Sequence, residues 1–409
     1  MKRLIHMLLI FVTVVLGGLD CKQVYTPPAI KNNPFLLVVD GIVISGNDSS
    51  IITLSRTRNL ADTVPSAKEI NAKVSVLSIS GVEYPFTEEG NGRYAVDQLA
   101  LDPGQQYQLK VVTTDGNEFR SALSNVLISP PIDSLYWNQD SAFNAHVYLN
   151  THDPTNQAKY YRWQYVETWE YHSDFNSVLD YNNGIPIARP LSNQIYRCYK
   201  SVPSSSIEVV STTQLSSSVV NKYEIVQIPQ TSEKISETYS NLVSQYAIPA
   251  EAYNFWSNLK RNTEQLGSLF DLQPFTELGN ISCVNNPSIS CIGFISFSTV
   301  QTQRIFISKN EVVNWNYFPY YGLDCIIDTI PPQDIDKYFQ PPGGPYSNSL
   351  IGTAMGPYLL SSILCVDCTY HGGSPVKPTY WPSTFYPCLD FRGHFFLTYI
   401  KSLLQRFLC

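Results

Sequence analysis

The chain has 409 residues, 27 Lys+Arg against 34 Asp+Glu, and a formal charge of −7; only 15% of it is charged, while 13% is aromatic, with 27 Tyr. That balance excludes a disordered acidic chain, which carries more charge and fewer rings. It also excludes a dedicated nucleic-acid binder, which needs a basic excess against phosphate, and it leaves enough apolar mass for a large core or for two or three domains.

Met1-Lys2-Arg3 is a short basic start, followed by an apolar run from Leu4 to Leu19 broken by His6 and Thr13. The run is shorter than the roughly 20 residues of a bilayer span. Residues 1–20 therefore read as a signal peptide rather than a permanent anchor. Cys21 ends the run, behind the small residues Gly17 and Gly18, as the acylated Cys of a lipobox does. Gly18 stands where that motif usually has Leu, and Asp20 where it has a small residue. A lipid on Cys21 holds a chain on a membrane by burying methylenes, each worth about 0.8 kcal/mol. Residues 21–32, polar and containing Pro27 and Pro28, read as a tether.

Residues 33–129 read as a β-sandwich domain. Strands are expected at Phe35–Ile44, Ile51–Ser55, Val74–Ile79 and Arg93–Val96, then at Tyr107–Val111 and around Glu118-Phe119. Turn signals such as Ser45-Gly46-Asn47-Asp48, Gly90-Asn91-Gly92 and Asp115-Gly116 separate them. Short strands divided by turns, with no helical period, indicate an antiparallel immunoglobulin-like or transthyretin-like sandwich. Pro130-Pro131 closes it, since consecutive prolines cannot continue a paired strand.

Residues 130–384 read as a β-rich domain with a helical insertion, the whole being mainly β. Tyr160–Glu167 alternates bulky and polar side chains as a half-buried strand does. Ser204–Val220 keeps Val and Ile among its Ser and Thr and reads as edge strands and loops. Thr231–Phe270 is expected to be helical, with helices near 232–267. Acidic residues at its start suit the positive end of the helix dipole. Pro249 then breaks it into a second helix striped by Ala252, Phe255, Trp256 and Leu259, and Gly267 stops it. Strands return at Ile292–Val300 and Arg304–Ile307, and residues 341–345 form a Gly/Pro loop. Residues 385–409 are a C-terminal extension with Phe396, Ile400, Leu403, Leu404 and Phe407 at helical spacing.

Of the nine Cys, eight remain once Cys21 is assigned to lipid, all at or beyond Cys198. In an exported chain an even set reads as disulfides. Cys198, Cys283, Cys291, Cys325, Cys365 and Cys368 are the candidates, and Cys283 and Cys291 are placed to pair across a hairpin. Cys365-x2-Cys368-x2-His371 offers zinc-type ligands, but a second pair at finger spacing is missing, so disulfides are favoured and no metal or other cofactor is expected. The chain contains no HExxH, GxSxG or GxxxxGK[ST] pattern, and the expectation is a protein that is not an enzyme. The aromatic cluster from Tyr136 to Tyr171 is the most suggestive feature. Such rings suit sugar or peptide capture, equally they fill sheet cores; Trp137, Trp163 and Trp169 are the candidates for ligand contact.

Several segments together resemble a known family. They are Pro34–Val43, Pro131-Ile132-Asp133-Ser134, Ala252-Tyr253-Asn254-Phe255-Trp256, Gly267–Asp271, Gly279-Asn280-Ile281 and Arg304–Ile307. Cys365-Val366-Asp367-Cys368, Gly372-Gly373, Lys377-Pro378 and Trp381 complete the set. In order and spacing this resembles domain-of-unknown-function family 4249 of Bacteroidota outer-membrane lipoproteins, over roughly residues 21–381. The resemblance implies a cell-envelope lipoprotein held on the outer membrane by its N-terminal lipid, on the cell-surface or periplasmic face. It further implies an accessory or ligand-capturing role beside a TonB-dependent outer-membrane receptor. The alternatives are a surface glycan-binding or adhesion module, and a hydrolase whose carboxylates are assembled by the fold. Two features depart from the family pattern: Lys22 follows the lipid Cys, with the next acid only at Asp40, and the tail runs past the usual end near Trp381.

Overall fold

The computed structural model describes residues 35–58, 67–182, 185–264, 279–317, 325–338, 348–353 and 356–382. The signal segment, Cys21, the tether, Gly267 and the extension 385–409 lie outside them. The protein is mainly β, as expected, and divides into two compact units, Met1–Ile128 with Ile248–Val300, and Ser129–Ala247 with Gln301–Cys409.

The first unit is a sandwich of two mostly antiparallel sheets. One runs Cys291–Ile292, Leu37–Ile44, Ser50–Arg56, Arg93–Val96, Thr87–Gly90; the other runs Ile281–Cys283, Glu118–Ser121, Gln106–Val112, Lys73–Ser78, Glu83–Pro85. Alternation decides which side chains face inward. Tyr107, Leu109 and Val111 are buried along one strand, and Leu37, Val39, Ile52, Leu54 and Phe119 meet them in a single core. The sequence alone assigns residues 248–300 to the second domain, but they belong here, because 281–298 add short strands to both sheets. The return is tight enough to require glycine. A Cβ on Gly279 (φ +96°) would stand 1.8 Å from the Gly293 carbonyl oxygen, and one on Gly293 would stand 2.1 Å from that of Val39. No local pattern announces a pairing between residues some 250 positions apart.

Cys283 and Cys291 sit in this core as buried thiols rather than as the expected hairpin disulfide. The chain crosses between them from one sheet to the other, so they end on facing sheets and not on paired strands. Burial pushes the Cys291 thiol up to about 12.

The Thr231–Phe270 expectation is half corrected. Glu233–Ile235 is one 3-10 turn and Thr238–Ala247 is a strand; among the described residues the helix is Ala250–Glu264, and 265–270 lie outside them. Tyr239, Asn241, Val243 and Gln245 lie opposite Trp169, Glu167, Tyr165 and Trp163 in register, a period of two that overrides helix propensity. Past Pro249 the helix buries Ala252, Phe255 and Trp256 of the expected stripe, with Leu259 only partly buried and Phe255 against Phe294 at 5.6 Å. Among the described residues no helix is long and apolar enough to cross a membrane.

In the second unit Ile132–Gln139, Ala145–Asp153 and Ser218–Ile228 form one antiparallel sheet in that order. A second sheet runs Arg197–Pro203, Tyr160–His172, Thr238–Ala247, Val300–Ser308. Ala145, Val147 and Leu149 of the first share a core with Trp163, Tyr171, Tyr239 and Val243 of the second. A small third sheet places Tyr358–Ser362 between Asp328–Ile330 and Asn348–Thr353.

Candidate functional site

The Tyr160–His172 strand explains what happens to the tryptophans. Its odd positions face the core, and Trp163 is 1% exposed, stacked on Tyr223 at 4.7 Å with its indole N–H donating to Gln245 Oε1 at 3.0 Å. Trp169 is 6% exposed; its N–H donates to Glu233 Oε2 at 3.0 Å, and the Lys200 and Lys234 ammonium groups lie 5.8 and 5.7 Å from its ring. Trp137 is half-buried against the same core. Trp163 and Trp169 therefore fill the space between sheets, where they are closed to a ligand, while Trp137 stays partly exposed. The reason is parity: side chains alternate faces along a strand, so the strand that turns Trp137 inward turns Tyr136 outward.

The outward face of the three-stranded sheet gathers rings and polar groups, with Tyr136 and Tyr148 partly exposed and His146 buried beside them. Tyr136 and Tyr148 are cross-strand partners with ring centroids 5.7 Å apart, inclined by 32°. His146, two positions along, lies 5.9 Å from Tyr148 and nearly parallel to it, at 11°. His146 is fixed on both sides, Nδ1 3.1 Å from Glu224 Oε2 and Nε2 3.1 Å from Asp140 Oδ2. Asp140 is in turn held by its own turn, where the Ala142 and Asn144 backbone N–H groups donate to Oδ1 at 2.9 Å. The Asn144 side chain and His146 draw its carboxyl down to about 2. Burial first, then the Glu224 carboxylate, push the Tyr148 phenol up, so it stays protonated as a donor.

The Ser218–Ile228 strand is irregular at this point. Its register slips against Val147/Tyr148 and again against Leu149/Thr151, two bulges of the kind that re-aim side chains. Lys222 sits there in a left-handed conformation (φ 52°). Its N–H donates to Asn150 Oδ1 at 2.6 Å, and its ammonium stands 5.1 Å from the Tyr148 ring centroid. Asn150 Nδ2 donates to Ser134 Oγ at 2.9 Å. Sequence reasoning passed over Tyr148, His146 and Lys222 because it weighted tryptophans and ignored strand parity.

A second cluster is structural. Cys198 is bonded to Cys368 and Cys325 to Cys365, so both sulfurs of the Cys365-x2-Cys368 motif are in disulfides, and His371 Nε2 lies 2.7 Å from the Leu364 carbonyl oxygen. Asp174, Cys325 and Cys365 bring an oxygen and two sulfurs within 4.8 Å of one another. Sulfurs bonded to each other are not thiolate ligands, so this is a braced corner rather than a metal centre. Burial raises the Asp174 carboxyl above its ordinary range.

Beside that corner His172 Nε2 lies 3.4 Å from Glu237 Oε1, with its ring stacked on Tyr196 at 4.9 Å. The bond to Glu237 raises the imidazole, burial opposing it, while His172 lowers Glu237. The pair's stabilisation is complete below the unfolded His value and is lost as pH rises through the raised folded value; on the acid side it is lost as pH falls through the lowered value of Glu237. Thermal unfolding of H172N against the parent should therefore differ most near pH 5.5–6.5 and converge above pH 8. A gap that stays constant with pH contradicts the pairing.

The family model described as Domain of unknown function (DUF4249) matches residues 23–304. No curated protein matches the chain. Among solved structures it is similar to a chain of a cytokine receptor complex, crystal form 2 (11% identity, 53% of this chain and 92% of that one, TM-score 0.18). It is also similar to a two-domain fibronectin type-III segment from chicken tenascin (12%, 51% and 88%, TM-score 0.15). Chitinase ChiA74 from Bacillus thuringiensis is a third (9%, 53% and 31%, TM-score 0.15). Likenesses this distant assign no function to the chain.

Proposed function

Because the chain belongs to the family described as Domain of unknown function (DUF4249), whose model spans more than half of it, we propose that it is a non-enzymatic, lipid-anchored protein of the cell envelope. In this reading Cys21 carries the lipid and the body serves a TonB-dependent outer-membrane transporter as an accessory that captures ligand. The observation that carries it is an export-type start ending in Cys21 joined to a body braced by two disulfides, a combination suited to an oxidising compartment. The outward face around Tyr136 and Tyr148 is the surface offered to ligand. Binding is favoured over hydrolysis because the deeply buried carboxylates of the second unit are already engaged. Glu167 is held by Lys234 and Tyr239, at 2.6 and 2.8 Å, and Glu170 by Arg197 and Trp381.

Two preparations test the reading. The tagged full chain, recovered from membranes in mild detergent, should bring a β-barrel transporter with it; recovery with no barrel counts against the partnership. The Cys21→Ala chain should move to the soluble fraction, and continued membrane association refutes the anchor.

A further inference from the structure

We propose that the outward face of the three-stranded sheet is a carbohydrate-binding platform, with the rings of Tyr136 and Tyr148 stacking on the C–H faces of an uncharged sugar chain. This names the class of ligand for the capture role above and rests on that reading. A pyranose has a weakly polar C–H face and a rim of hydroxyls that both donate and accept. Its receptor needs flat, rigid ring surfaces at sugar-ring spacing, bordered by groups of mixed hydrogen-bonding character.

The face meets each requirement. Tyr136 and Tyr148, both partly exposed, form a two-ring cross-strand strip with centroids 5.7 Å apart and an interplanar angle of 32°, on a sheet rather than a loop. The buried His146, clamped by Asp140 and Glu224, lies nearly parallel to Tyr148 at 5.9 Å and holds that ring in place. The border carries amides and hydroxyls, Asn150 and Ser134 among them, and the partly open carboxylate of Glu224, 43% exposed.

Charge selects among ligands. Asp140 and Glu224 are both spent on His146, and the Lys222 ammonium lies over the Tyr148 ring. Two carboxylates against one ammonium leave no basic excess to draw in a phosphate. An uncharged polyol complements what remains. Lys222 is exposed, and an exposed cation–ring contact is weak, so an arriving sugar ring displaces it readily. The two strand bulges opposite Tyr148 and Asn150 set Lys222 and Glu224 around the strip.

The test is affinity electrophoresis of the full mature chain in mild detergent, through native gels containing soluble starch, mannan, xylan, laminarin or dextran. At least one gel should retard it. Tyr136→Ala and Tyr148→Ala should each weaken that retardation about tenfold, while Tyr148→Phe, which keeps the ring, should retain most of it. Unchanged thermal unfolding qualifies each variant, and Tyr136→Gln serves where an alanine variant unfolds. A folded parent chain unretarded by all five polymers overturns the proposal, as does retardation that the ring-removing variants leave intact. The same preparations report membrane release by Cys21→Ala. Chain that remains anchored but unretarded removes the carbohydrate assignment alone.

Discussion

Cys198→Ser is expected to lower the unfolding free energy by about 4–5 kcal/mol, the larger loss of the two disulfides. The bond joins residues 170 apart and the Cys325–Cys365 bond residues 40 apart. The chain-entropy relation gives about 5 kcal/mol for the longer loop and about 4 kcal/mol for the shorter. Position adds to length. Cys198 and Cys368 are both fully buried, and the Cys368 carbonyl oxygen accepts the Tyr171 hydroxyl at 2.7 Å. The disulfide thereby ties the Arg197–Pro203 edge strand to the turn at Cys368, and the Tyr171 hydroxyl adds the long central strand to the same point. Denaturant titration of parent and variant measures the difference, and a loss below about 1 kcal/mol contradicts the bracing role.

Glu170→Ala should cost about 2–3 kcal/mol, the usual penalty for losing a hydrogen bond to a charged group and leaving the buried Trp381 N–H unpaired, since Arg197, 32% exposed, is rehydrated. Glu170 is 1% exposed. One carboxylate oxygen pairs with Arg197, and the other accepts the Trp381 indole N–H at 2.9 Å. Trp381 itself packs edge-on to Tyr199 and Phe306, at 5.3 and 5.6 Å. Beside it the Tyr380 and Thr168 hydroxyls lie 3.1 Å apart, and the Arg304 guanidinium stands 3.7 Å over the Tyr380 ring. The carboxylate thus holds the chain's last described segment against the even face of the Tyr160–His172 strand. Loss of Glu170 should loosen residues 377–382 first, seen as faster amide exchange there, with a red shift of tryptophan emission. Glu170→Gln, which keeps an acceptor for Trp381, should lose less. Equal stability of Glu170→Ala and the parent contradicts this holding role.

What could be read from the sequence was local. Alternation in Tyr107–Val111 marked the strand, and Ala252, Phe255 and Trp256 marked the helix face, because both patterns are carried by neighbouring residues. The return of residues 281–298 to the first unit could not be read, since it depends on contacts between Gly279, Gly293 and Val39 far apart in the chain. Thr238–Ala247 was misjudged because its Ser, Tyr and Asn content is indifferent until Tyr160–His172 pairs with it. The eight Cys beyond Cys21 suggested disulfides without their partners, and Cys283 and Cys291 show that a short spacing does not ensure a bond. At the candidate site the rings were visible as composition, while their division into buried tryptophans and outward tyrosines needed the position of the opposing sheet.

The state of the mature N-terminus decides most directly whether this is an anchored envelope protein. Mass spectrometry of the N-terminal peptide from membrane-purified protein should find Cys21 as the first residue, carrying a thioether-linked diacylglyceryl group. An unmodified first residue other than Cys21, or a chain still beginning at Met1, contradicts the anchor.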